Sequence, residues 1–238
     1  MDIEVLTDFT SVAQRAARFI ADEAWDAVAA RGNFLMALSG GHTPWLMLRC
    51  LATMTVPWQA VHIIQVDERV APDGHKDRNL TQLRDGLLNL APVPSAQVYA
   101  MPVEATDLEA AAAQYAETLR LVAGAPPVID LVHLGLGPDG HTASLVPGDP
   151  VLEVGNSDVA LSGPYQGRRR MTLTYPILNR ARRILWVVSG GDKAGMVNRL
   201  LEGDHSIPAG RIRSEHALLL ADHAAARDTV RDLLQLAS

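Results

Sequence analysis

The sequence predicts an α/β protein: a mostly parallel, Rossmann-like sheet with helices on both faces. Two observations predict it. Short apolar runs and longer amphipathic stretches alternate along almost the whole chain. The short runs are apolar nearly throughout, as strands covered on both sides must be. A third observation concerns function. Polar clusters follow four of the strands, and ligands of open parallel sheets bind beyond the strands' carboxyl ends.

Thr10 to Arg31 carries Val12, Ala16, Phe19, Ile20 and Val28 in a helical stripe that Gly32 ends. Asn33 to Leu38 is a short strand. Pro44 to Ala52 reads as a helix with Thr43 as N-cap and Pro44 at its first position. Val61 to Val66 is a strand, Leu80 to Leu90 a helix and Val98 to Met101 a strand. Leu108 to Val122 is an alanine-rich helix. Ile129 to Leu134 is a strand and Met171 to Thr174 a short one. Ile184 to Val188 is a strand, Ala194 to Leu201 a helix, Ala217 to Leu220 a strand and Ala224 to Leu236 the closing helix. Pro147 to Arg170 is the least regular stretch, expected to form a small excursion from the sheet or a mobile flap. No internal repeat or long linker divides the chain, so 1–238 is expected to be a single α/β domain.

With 238 residues, 48% of them hydrophobic, the chain is long enough to bury a full core. Its net charge is -6, it has no basic block and only 5% of its residues are aromatic, so nucleic acid is not an expected partner. No apolar run approaches the ~18 residues that span a bilayer. The acidic start Met1-Asp2-Ile3-Glu4 lacks a signal peptide's features. One cysteine, Cys50, excludes an internal disulfide framework and fits a reducing compartment. The expectation is a soluble cytoplasmic protein, without a membrane partner, as a monomer or small homo-oligomer.

The polar clusters are Ser39-Gly40-Gly41-His42-Thr43, Asp67-Glu68-Arg69, Gly137-Pro138-Asp139-Gly140-His141 and Ser189-Gly190-Gly191-Asp192-Lys193. Glycine-rich turns are ordinary singly. Four that carry His, Arg, Lys and Asp are expected to meet in one crevice. Ser39 to Pro44 is the expected anion site, where Gly40 and Gly41 turn backbone N–H groups toward a ligand and the next helix aims its positive end. Thr43 contacts the anion, caps the helix, or does both. The plain alternative is a strand-to-helix turn with a cap. Lys193 places a charge opposite this loop. Arg69 is a third cation, with a local surface ion pair as its plain alternative. In Arg168-Arg169-Arg170, Arg170 opens a strand and is expected to point into the crevice.

His141 carries the chemistry in this reading. An unperturbed imidazole is mostly neutral at pH 7 and takes a proton from water. Asp139 orients it or accepts from the turn's backbone. The plain alternative is a His with no role at a helix start. His62 and His133 lie inside apolar strands and are expected to be satisfied core residues. No pair of histidines has metal-ligand spacing with a suitable third group, so no metal is expected. Cys50 is expected in the core. Gly135-Leu136-Gly137-Pro138-Asp139-Gly140 matches a dinucleotide fingerprint, but Pro147-Gly148-Asp149-Pro150 cuts off the helix that fingerprint needs. No cofactor is expected. No P-loop or nucleophile elbow occurs.

At these residues the chain resembles the 6-phosphogluconolactonase family over nearly its whole length. The family's Ser-Gly-Gly-Ser-Thr-Pro loop stands here as Ser39 to Pro44, with His42 in place of the usual Ser. Its Asp-Glu-Arg segment is Asp67-Glu68-Arg69, followed by Asn79. Its most specific signature, Gly-x-Gly-x-Asp-Gly-His-Thr-Ala-Ser-Leu-x-Pro-Gly, runs from Gly135 to Gly148. Its Arg-x-Thr-Leu-Thr segment is Arg170 to Thr174, and its Gly-x-x-Lys turn is Gly190 to Lys193. The resemblance implies hydrolysis of 6-phospho-D-glucono-1,5-lactone, with His141 activating water. It implies that Arg69, Arg170, Lys193 and the Gly40-Gly41 backbone hold the phosphate, and that Asp67 and Asp139 position sugar hydroxyls or His141. His42 and Thr43 stand among the expected substrate-binding residues, His42 through a backbone grip that survives the loss of the usual Ser. The related glucosamine-6-phosphate deaminases have a similar Asp-Gly-His segment followed by a Glu that helps ring opening; Val146 stands there here. A sugar-phosphate sensor without turnover is the alternative from another class.

Overall fold

The computed structural model describes residues 1–229, apart from the side chains of His42 and Thr43. The chain opens on β1 (Asp2–Leu6), an edge strand that its charged residues hide from an apolar-run reading. Helix α1 (Phe9–Arg31) follows. Asp8 caps it by accepting the Ser11 N–H, and Gly32 ends it at φ 81 with its N–H on the Val28 carbonyl. Its buried stripe is Val12, Ala16, Ile20, Ala24 and Ala27. Strand β2 (Phe34–Leu38) leads to α2 (His42–Ala52), which starts earlier than expected. Gly41 is its N-cap, so Thr43 lies inside the helix and Pro44 is its third residue. Proline is tolerated there because the first-turn N–H groups have no intrahelical acceptor.

Strand β3 (Val61–Gln65) runs almost directly into β4 (Asp67–Arg69). Asp67-Glu68-Arg69 is therefore a strand of a second sheet and not a loop. Helix α3 (Asn79–Leu83) continues through a π turn (Arg84–Leu88) to β5 (Val98–Tyr99) and α4 (Leu108–Ala123). Then come β6 (Leu131–Leu134), β7 (Val159–Tyr165), β8 (Arg168–Leu173) and α5 (Tyr175–Leu178). Strand β9 (Arg183–Val188), α6 (Ala194–Leu201) and β10 (Ala217–Asp222) complete the set. The expected closing helix, Ala224 to Leu236, begins only at Arg227 and falls mostly outside the described residues.

The main sheet is parallel in the order β1-β10-β9-β6-β2-β3-β5. Strand alternation sends Leu35, Ala37, Ile64, Val132, Leu134 and Trp186 to one core. It sends Phe34, Met36, Ile63, Leu131, Leu185 and Val187 to the other, under α1 and α2. Chain order reverses between the neighbours β2 and β6, the arrangement that opens a crevice beyond the strand ends. Cys50 is partly buried against the second core. Among the described residues no helix is long and apolar enough to cross a membrane.

The irregular stretch Pro147 to Arg170 is an ordered excursion. Its strand β7 pairs antiparallel with β8, and β8 pairs with β4, giving the order β4-β8-β7. The β7–β8 turn is Gln166-Gly167, both at positive φ, 51 and 79, as a two-residue hairpin loop of matching twist requires.

The two strand histidines differ from expectation. His62 is only half-buried, 3.1 Å from the Tyr99 hydroxyl. His133 is fully buried but half-satisfied. Its Nδ1 accepts the Ser39 N–H at 3.3 Å, while Nε2 has no protein partner. Burial pushes the His133 pKa down to about 3. Below about pH 6.5 the unfolded chain therefore binds a proton that the folded chain refuses. Stability drawn from the neutral ring is lost as pH falls through that window, by up to ~1.4 kcal/mol per pH unit. His133→Asn keeps an acceptor near Ser39 and cannot titrate. Urea unfolding between pH 7 and 5 is expected to show a shallower loss of stability in the variant; equal slopes would show that His133 does not titrate this way.

Candidate active site

The turn after β6 closes on itself. The Gly137 N–H donates to the His141 carbonyl at 2.8 Å and the Gly140 N–H to the Gly137 carbonyl at 3.0 Å. Thr142 Oγ1 ties the exit to the Gly135 carbonyl. No helix follows Gly140, only turns and a Thr142–Leu145 bridge, so the dinucleotide fingerprint fails on structure as it does on sequence. This turn brings His141 Nδ1 to 2.5 Å from Asp139 Oδ1, which also accepts the His141 backbone N–H. The Nδ1 bond leaves Nε2 as the ring's available base. Burial works to raise the Asp139 pKa, but the hydrogen bonds and charge of His141 outweigh it and hold the carboxyl below its ordinary value. Asp139 is thus a fixed anion behind the imidazole.

Gly137 is required for steric reasons. A Cβ there would lie 2.0 Å from His141 Nδ1 and 2.7 Å from Asp139 Oδ1. Gly40 has a parallel role in the first loop, where a Cβ would meet Asn79 Oδ1 at 1.9 Å.

The second sheet supplies two of the cations. Arg69 and Arg170 are direct cross-strand partners on β4 and β8, an unfavourable pairing of like charges unless something intervenes. Asp67 intervenes, with Oδ2 3.8 Å from Arg170 Nη1. Arg170 is almost wholly buried; burial lowers its pKa, Asp67 partly offsets this and Arg69 adds to it. Asp67 also accepts from the Ser144 hydroxyl at 2.6 Å and from Asn79 Nδ2 at 3.0 Å. Arg69 is held by the Asp77 carbonyl at 2.8 Å. The neighbouring arginines turn elsewhere: Arg168 pairs with Asp77 and Arg169 with Glu109.

The third cation comes from the turn after β9. Asp222, at the end of β10, accepts the Gly190 N–H with both oxygens, at 3.2 and 3.1 Å, and anchors that turn. Lys193 Nζ lies 3.0 Å from Asp192 Oδ2, and this Asp192 side chain is 65% exposed. Such a pair is worth little, so Lys193 can exchange Asp192 for a better anion.

These parts meet in a crevice of about 420 Å³ lined by Gly40, Gly41, Asp67, Arg69, Arg170, Lys193 and His141. Asp139 stands behind His141. The side chains of His42 and Thr43 lie outside the described residues. The first loop differs from expectation in one respect: the Gly41 N–H donates to Gln82 Oε1 at 3.2 Å and the Ser39 N–H to His133, so both amides are already engaged. Helix α2 still begins at the crevice wall, next to Gly41. Arg69 Nε, Arg170 Nε, Asn79 Oδ1 and Ser189 Oγ are buried without a protein partner, and all belong to lining residues. Buried polar atoms of this kind call for ligand or solvent partners. Among the described residues no cluster of His, Cys, Asp or Glu is placed to hold a metal ion.

Sequence reasoning missed Gln166, Tyr165, Gln82 and Asp222, and met Asn79 only through the family pattern. Tyr165 and Gln166 sit at the tip of the β7–β8 hairpin. The one local signal for them is Gln166-Gly167, a turn dipeptide between two strands that their polar residues disguise.

A family model described as glucosamine-6-phosphate isomerases/6-phosphogluconolactonase matches residues 7–221. The 6-phosphogluconolactonase of Mycobacterium tuberculosis is 37% identical over 238 residues, covering 94% of this chain and 96% of that protein. That of Synechocystis sp. is 37% identical over 195 residues, 80% of this chain and 81% of that protein. A crystal structure of 6-phosphogluconolactonase from Thermotoga maritima superposes with a TM-score of 0.84 at 25% identity, covering 93% of this chain and 98% of that one.

Gly137→Ala is expected to part His141 from Asp139 while leaving the fold intact. The downfield proton resonance of the His141 Nδ1–Asp139 hydrogen bond should then disappear, with thermal unfolding little changed. A retained resonance would mean that the turn accommodates the methyl without separating the two side chains.

Proposed function

The chain belongs to the glucosamine-6-phosphate isomerase/6-phosphogluconolactonase family, and from that premise we propose that it hydrolyses 6-phospho-D-glucono-1,5-lactone to 6-phospho-D-gluconate, in the oxidative pentose phosphate pathway. The observation that carries this reading is one base facing three cations: the Asp139–His141 pair in a crevice shared with Arg69, Arg170 and Lys193.

In the proposed reaction Arg69, Arg170 and Lys193 hold the phosphate, with the Gly40-Gly41 segment and the start of α2 beside them. Asp67 positions sugar hydroxyls. Water gives a proton to His141 Nε2 as its oxygen bonds to the lactone carbonyl carbon. The tetrahedral intermediate then collapses and the ring C–O bond breaks. The imidazolium returns the proton to the departing ring oxygen, which becomes a hydroxyl, and the new carboxylic acid releases its remaining proton to solvent as the carboxylate. Asp139 stabilises the imidazolium between the two transfers. The lactone is an activated ester, so one positioned base is adequate: such a group contributes ~10²–10⁴-fold, and orientation supplies more. No cofactor takes part.

The reading treats 1–238 as one catalytic domain, since the crevice draws on both sheets. The cytoplasm is the proposed location, in keeping with a lone cysteine. Deaminase chemistry is not favoured, because Val146 offers no carboxylate where that relative uses a Glu.

Two measurements test the proposal. His141→Ala is expected to lower kcat by ~10²-fold or more while phosphate binding persists; turnover like that of the unmutated enzyme would remove His141 from the mechanism. Lys193→Ala is expected to weaken use of the phosphorylated lactone far more than of unphosphorylated gluconolactone. Equal losses would show that Lys193 is not a phosphate anchor.

A further inference from the structure

Tyr165 stands at the last position of β7, and the reaction outlined above does not use it. Its hydroxyl donates to Asp139 Oδ2 at 3.2 Å, while His141 takes the other oxygen, Oδ1. Its ring meets the imidazole of His141 edge-on, with centroids 5.1 Å apart and planes at 61°. The Arg170 guanidinium lies over the same ring, 5.0 Å from its centre. One side chain therefore touches the base, the base's partner and a buried cation of the crevice. The hairpin turn makes this possible: Tyr165 pairs with Arg168 across Gln166-Gly167, so the strand end projects over the turn after β6.

We propose that Tyr165 is a positioning residue that locks Asp139 in the rotamer presenting Oδ1 to His141 and couples this pair to Arg170. The inference rests on the lactonase reading for the identity of the reaction, but the positioning itself is a property of the unliganded protein. Asp139 sits on a turn with its side chain 36% exposed. His141 holds only Oδ1, through its ring and its backbone N–H; Tyr165 is the partner that fixes Oδ2 and with it the plane of the carboxylate. The phenol is a dependable donor, because burial, and then the negative charge of Asp139, raise its pKa above the ordinary tyrosine value. By sharing the carboxylate's charge, Tyr165 also moderates its pull on the imidazolium, which must release its proton to the departing oxygen. The contact between Arg170 and the ring ties the anion-holding side of the crevice to the base.

Tyr165→Phe keeps the ring and removes only the hydroxyl; Tyr165→Leu removes both. In the phenylalanine variant kcat is expected to fall roughly five- to tenfold, the kinetic weight of one ordinary net hydrogen bond, with KM nearly unchanged. The leucine variant is expected to lose more. Without substrate, the downfield proton resonance of the His141 Nδ1–Asp139 hydrogen bond is expected to broaden through faster exchange in the phenylalanine variant, so the inference can be judged even if the lactonase reading fails. An unchanged resonance together with unchanged kcat would overturn it. So would a raised KM with kcat and the resonance unchanged, which would make Tyr165 a substrate contact.

Discussion

The buried carboxylate of Glu68 is the constraint on which the crevice depends. It is fully buried and accepts the N–H groups of Arg69, Asn79 and Leu80 and the Gln65 side-chain amide. Arg78 Nε lies 3.1 Å away as its counter-ion. A buried anion is tolerated only with such a set of partners, and removing one member of a buried pair typically costs about 3–5 kcal/mol. Each partner fixes something different. Gln65 ends β3, Arg69 faces the crevice, and Asn79 and Leu80 begin α3. A single charge thus holds together the point where the chain leaves the parallel sheet for the antiparallel one.

That transfer explains why the crevice edge carries so much positive charge without flying apart. Arg69 and Arg170 face each other across β4 and β8 because strand register leaves them no alternative. Asp67 lies between Arg170 and the hydroxyl of Ser144, and Tyr165 offers Arg170 an aromatic face. The repulsion that remains is an asset for binding an anion, since each cation gains by acquiring a further negative partner. Lys193 contributes differently. Its exposed pairing with Asp192 is weak enough to be exchanged.

The fold was legible because its signals are local. Apolar runs gave the strands at β2, β3, β6, β9 and β10, and Asp8 and Gly32 bound α1 by ordinary capping chemistry. β1, β4 and β7 were hidden by their own composition. Asp2 and Glu4 break β1, Asp67-Glu68-Arg69 is wholly charged, and Ser162, Gly163 and Pro164 interrupt β7. These strands exist because neighbours complete their hydrogen bonding, which a propensity reading does not register. The closure of the dyad was also local, since Gly137, Asp139 and His141 lie within one turn.

The sequence by itself determined which loops carry the polar clusters and that Asp139 and His141 share one turn, because glycine placement and polar clusters at strand ends are properties of short segments. It also settled that no dinucleotide helix follows Gly140. Only the tertiary structure decided who stands beside whom. Tyr165 reaches Asp139 across 26 positions and Ser144 reaches Asp67 across 77. Asp222 anchors the Lys193 turn from another strand. It likewise decided that the Ser39 and Gly41 amides serve His133 and Gln82. Such contacts follow from sheet order and strand register, which set distances between segments and leave no mark within any one of them.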